Sequence, residues 1–156
     1  MRLLIYGDYE CPYTRQALIS VAQVRGELSV GFAYAFRNFP LTDIHPHALH
    51  AAVAAEAAEL QGKFWEMHDL LFQSQRALAD DALAAHAKEV GLDEARFYAD
   101  FASRTGLPRI EADVASGVRN GVQGTPSLFI NGEPHRDAYD PAILVNALRS
   151  AAERPV

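Results

Sequence analysis

Sulfur is scarce in this chain: one cysteine, Cys11, and two methionines. A single thiol excludes an internal disulfide, and its surroundings decide whether it is inert or reactive. Positive charge is also short, with 14 basic against 20 acidic residues and a net charge of -6. With no basic run anywhere, the balance argues against a nucleic-acid partner. No apolar stretch reaches the roughly 18 residues that cross a bilayer, so no membrane partner is expected. "MRLLIYGDYE" turns polar too soon for a signal peptide, and the expected location is cytoplasmic. A Gly-rich phosphate loop, a Ser-His-Asp arrangement and zinc-type Cys/His spacing are all missing. What is present is 156 residues, 49% apolar, enough for one globular domain or one domain carrying an insertion.

The pattern along the chain opens strand, helix, strand. Leu3 to Tyr6 is a short apolar run closed by Gly7-Asp8 and reads as a buried strand. Pro12 suits the first position of a helix, where its missing N–H had no partner anyway. Ala17, Leu18, Val21, Ala22 and Val24 then recur at helical spacing, and Arg25-Gly26 closes the helix. Leu28 to Phe39 is expected as the second strand, parallel to the first. The Ala-, Leu- and Glu-rich middle predicts helices, broken at Gly62. A further helix is expected with Asp80 or Asp81 as N-cap and Gly91 at its end. Two more helices follow, separated by Gly106-Leu107-Pro108. "TPSLFING" returns to strand with an Asn131-Gly132 hairpin turn, a partner strand is expected over His135 to Ala138, and a helix runs from about Pro141 to Ala152. Without the helical block, a four-stranded sheet flanked by helices remains, which is a thioredoxin fold with an inserted helical subdomain.

"YGDYECPYT", "FRNFPL", "HPHALHAAVAAEAA", "GKFWEMHDLLF" and "GVQGTPSLFING", in that order, resemble the DsbA-like group of thioredoxin-fold proteins. The likeness covers Leu3 to about Leu148 and is nearer to short stand-alone or fused domains than to the longer periplasmic oxidases. It implies an α/β fold with a redox half over residues 1–40 and 117–156 and a helical insertion over 41–116. It further implies that Cys11 is the nucleophile and that Pro12 and Tyr13 tune it. Thr125-Pro126 matches the family's cis-proline loop, which docks an extended substrate beside the thiol. Three departures accompany the match. Thr14 stands where the second cysteine usually is, Ile5 stands where relatives often carry a buried acid, and the first strand leads directly into Cys11. The sheet edge this leaves suggests a homodimer.

At a helix amino terminus, unpaired N–H groups and the helix dipole favour thiolate over thiol. The N–H of Tyr13 or Thr14, and the Thr14 hydroxyl, are expected donors to the Cys11 sulfur, making Thr14 a catalytic candidate. Asp8 and Glu10 oppose this with negative charge. Attack on a disulfide would give a mixed disulfide that an outside thiol must resolve. Net dithiol oxidation by this chain alone is therefore excluded. The expected activity is a monothiol thiol–disulfide oxidoreductase with no bound cofactor. Its partners would be disulfide-containing proteins or glutathione, the latter as co-substrate. A redox-inactive peptide-binding module and a glutathione transferase-like enzyme are the other readings of the same scaffold. His45, His47 and His50 are expected as polar residues at a helix start rather than metal ligands, and His68 and His86 as surface or satisfied core residues. Phe64, Trp65 and Phe72 are expected in the core of the insertion. Arg37 is expected to be a solvated ion-pair partner or to meet a glutathione carboxylate.

Overall fold

A computed structural model describes residues 1–29 and 31–154. The first strand, β1 (Arg2–Gly7), pairs parallel with β2 (Ala33–Asn38) across the helix α1 (Pro12–Glu27). Five helices follow: α2 (Ala48–Glu59), α3 (Phe64–Gln73), α4 (Asp80–Glu89), α5 (Glu94–Ala102) and α6 (Leu107–Arg119). The chain returns to the sheet as β3 (Ser127–Ile130) and β4 (Glu133–His135) and closes with α7 (Pro141–Glu153). The strand order is β2-β1-β3-β4, with β3 antiparallel to both β1 and β4. This is the thioredoxin arrangement, with a helical run inserted between β2 and β3.

The period-two alternation of β1 divides the core. Leu3 and Ile5 join a large cluster with Val21 and Val24 of α1 and Leu144 and Leu148 of α7. Tyr6 points to the other face, into a smaller cluster with Phe39, Val122 and Phe129. Helix α6 covers that face, where Ser116 meets the Tyr6 hydroxyl at 2.8 Å. In α2 the alanines are buried almost all round, so its neighbours approach from every side.

Several boundaries differ from the sequence pattern. The second strand is confined to Ala33–Asn38 rather than Leu28 to Phe39, with Leu28 capping α1 through its N–H to the Val24 carbonyl. Val30, inside that expected strand, lies outside the described residues. The last strand is Glu133–His135, shifted towards the hairpin turn, where Asn131 and Gly132 both take positive φ. Ala79, not Asp80 or Asp81, is the N-cap of α4; both aspartates sit in the first turn, where their charge meets the helix dipole.

Candidate active site

Cys11 is the N-cap residue of α1, at the carboxyl end of β1. Its own N–H donates to the Asp8 carbonyl at 3.1 Å, and its carbonyl accepts from Arg15 at 3.2 Å, the first bond of the helix. Gly7 makes this close turn feasible. A Cβ there would come within 2.5 Å of the Phe36 ring and 2.7 Å of the Thr14 methyl.

The sulfur's partner is not the one the helix end suggests. Cys11 makes no side-chain cap bond, and the Thr14 hydroxyl instead accepts from the Asp8 N–H at 3.4 Å. Thr14 is fully buried, with its methyl packed against the end of β1, so side-chain packing directs the hydroxyl back into the loop. The thiol donates to the Thr125 carbonyl at 3.6 Å. The Thr125-Pro126 peptide bond is cis, and the thiol contact joins residues 114 apart in the chain. The Thr125 hydroxyl beside them is buried without a partner. Cys11 itself is only 3% exposed, whereas the neighbouring Tyr13 is 61% exposed and Pro12 also faces solvent.

The loop bearing Cys11 is held by Gln75 and Arg15, which pattern reading did not single out, and by His68, which is a satisfied core residue. Gln75, just beyond α3, donates to the carbonyls of Tyr9 and Cys11 at 2.9 and 3.0 Å. Arg15 Nε donates to the Phe72 carbonyl at 3.0 Å. The Tyr9 hydroxyl meets His68 Nδ1 at 2.9 Å inside an aromatic cluster that includes Phe36 and Phe72. Burial drives the His68 pKa down to about 3, so the ring stays neutral and serves as a core partner. Burial first, then the neighbouring Cys11, Tyr13 and Asp140, push the phenol pKa of Tyr139, ahead of α7, upward.

The acidic residues near the thiol are already engaged. Asp8 is buried and accepts from the N–H groups of Glu10 and Leu41 at 2.7 and 2.8 Å. Its second oxygen also lies 2.8 Å from His45 Nδ1. Glu10 accepts from the His47 N–H at 2.7 Å. These carboxylates fasten the Cys11 loop to the segment entering α2, a role their charge alone did not reveal. His50 pairs with Asp80 at 2.6 Å, and among the described residues no group of three or more His, Cys, Asp or Glu side chains could hold a metal. Arg37 donates to the Tyr6 and Ser116 hydroxyls at 3.1 Å each, and among the described residues it forms no ion pair.

Residues 2–149 match the profile of the family described as Thioredoxin. A thioredoxin-like oxidoreductase from Silicibacter pomeroyi superposes with a TM-score of 0.86 at 25% identity, covering 99% of this chain and 87% of that one. The fold is also shared with BdbD from Bacillus subtilis, at a TM-score of 0.87 and 17% identity over 98% of this chain and 88% of that one. Among curated proteins, the Na(+)/H(+) antiporter NhaA 1 of Salinispora arenicola is 44% identical over 94% of this chain. NhaA 3 of Salinispora tropica is 42% identical over 96% of it. The chain spans 22% and 24% of the length of those two relatives. Profile, sheet topology and the cysteine-bearing helix together establish that the chain belongs to the thioredoxin family, with the DsbA-like form of its fold.

Proposed function

We propose that the chain is a thiol–disulfide oxidoreductase working as a monothiol, with Cys11 as its nucleophile and glutathione as its co-substrate. The observation that carries this reading is Cys11 at the amino end of α1, 3.6 Å from the Thr125 carbonyl, with no second cysteine in the chain. The Cys11 thiolate attacks one sulfur of a disulfide, forming a mixed disulfide and expelling the other sulfur as a thiolate. A glutathione thiolate then attacks the mixed disulfide, giving oxidised glutathione or a glutathionylated partner and restoring Cys11. Electrons balance in each exchange, and no metal or bound cofactor is required. Tyr13 offers the exposed surface for a partner, and the Thr125-Pro126 loop docks it. Thr14 acts by holding the Asp8 amide and by denying an internal resolving thiol, not by bonding the sulfur.

The site of action in this proposal is the cytoplasm, where glutathione is abundant, with disulfide-containing proteins as the other substrates. A homodimer through a free sheet edge, β2 or β4, belongs to the same proposal. Light scattering that returns a monomer mass at every concentration would remove it. Ion exchange belongs to the names of the antiporter relatives and is not carried over. Among the described residues, no helix is long and apolar enough to cross a membrane.

A second reading rests on the burial of Cys11, at 3% exposure. On that reading the loop binds peptides without turnover. Glutathione-dependent reduction of a small mixed disulfide separates the two. The enzyme reading expects turnover that is lost in Cys11→Ser; equal rates for the two proteins would leave the binding module.

A further inference from the structure

Beyond Arg15, α1 and α3 stand apart over β2 and leave a groove of about 430 Å³. That size lies within the roughly 300–1,000 Å³ of ordinary ligand pockets. Cys11 is not among its lining residues, so the groove is separate from the thiol site. Its base is formed by apolar side chains and the neutral His68. Ile19 and Trp65 line it while remaining 53% and 45% exposed, a large apolar surface left in water.

One end carries polar groups without partners. The Arg25 guanidinium lies 5.9 Å from the Tyr34 ring centroid, and the Trp65 ring is 5.4 Å from that same tyrosine. Among the described residues, Arg25 forms no ion pair. The Tyr34 hydroxyl is buried and has no hydrogen-bond partner, an arrangement that costs stability until something fills it. Arg15 lines the groove as a second cation. Asp69 opposes them, although burial and Glu66 push its carboxyl pKa up while Arg25 pulls it down. Of the charged side chains lining the groove, two are guanidiniums and one a carboxyl, with Glu66 outside the lining near Asp69, so the lining itself carries an excess of cation over an apolar base.

We propose that this groove binds a small amphipathic anion. The apolar body lies against Ile19, Trp65 and Phe72, and the acidic head sits between the Arg25 guanidinium and the Tyr34 hydroxyl. Trp65 is the single tryptophan of the chain, so its emission reports occupancy directly.

The test is titration with decanoate, below the concentration at which it forms micelles, read by Trp65 fluorescence. A saturable change is expected. Decanol, lacking the charge, and butyrate, lacking the apolar length, should each bind at least about tenfold more weakly. Arg25→Gln should weaken decanoate by about tenfold through loss of a charge-assisted contact. Tyr34→Phe should weaken it severalfold without lowering the urea midpoint, because the free hydroxyl has no partner to lose. No saturable response, equal binding of decanol and decanoate, or unchanged affinity in either variant would overturn the proposal.

Discussion

Thr14 occupies the place from which a second thiol would resolve a mixed disulfide, and it is buried against Gly7 with its hydroxyl on the Asp8 amide. Thr14→Cys should therefore change the chemistry more than the fold. Its sulfur would lie one helical turn from Cys11 and could displace a bound glutathione internally. The expected outcome is that the glutathione adduct no longer accumulates and an internal disulfide forms, both read by intact mass with and without thiol alkylation. Persistence of the adduct in Thr14→Cys would mean that the two positions cannot meet. Gly7 makes a different prediction. A methyl at that position meets Phe36 and Thr14 well inside contact distance, so Gly7→Ala should cost about 1–3 kcal/mol of stability by overpacking. Urea denaturation measures it.

At the scale of elements, the Cys11 loop is coupled to α3 and the residues that follow it. Gln75 holds two of its carbonyls, and Arg15 ties α1 to the end of α3. Gln75→Ala should loosen the loop and raise the rate at which Cys11 is alkylated by iodoacetamide severalfold, with little change in far-UV circular dichroism. An unchanged rate would assign Gln75 to packing alone. The elements themselves were legible because local punctuation marks them: Pro12 opens α1, Gly62 and Gly91 end helices, and Asn131-Gly132 turns the hairpin. Cys11 at the start of α1 was legible for the same reason. The ties that hold it were not. Gln75 and His68 approach the loop through tertiary packing, and no spacing in the sequence announces which side chain will meet a distant partner. The direction of the Thr14 hydroxyl is likewise set by its buried neighbours rather than by its place in the helix.

At the scale of the whole molecule, the buried His68 links the core to pH. The unfolded chain takes up this proton near the ordinary value of 6.5, whereas the folded protein resists it until about 3. Because the unfolded state binds more protons across that window, stability falls on acidification, by up to about 1.4 kcal/mol per pH unit from this group. His68→Phe should flatten the pH dependence between those limits while costing stability at neutral pH, because the Tyr9 hydroxyl loses its partner. Urea midpoints measured across the range test this, and an unchanged slope in the variant would show that His68 is not the titrating group.

In the proposed mechanism, the one thiol of this chain enters mixed disulfides and cannot leave them unaided. Intact-mass spectrometry after incubation with oxidised glutathione addresses it directly. One glutathionyl adduct is expected at Cys11, stable after the excess is removed, lost on adding reduced glutathione and missing from Cys11→Ser. A protein that stays unmodified while folded would contradict it.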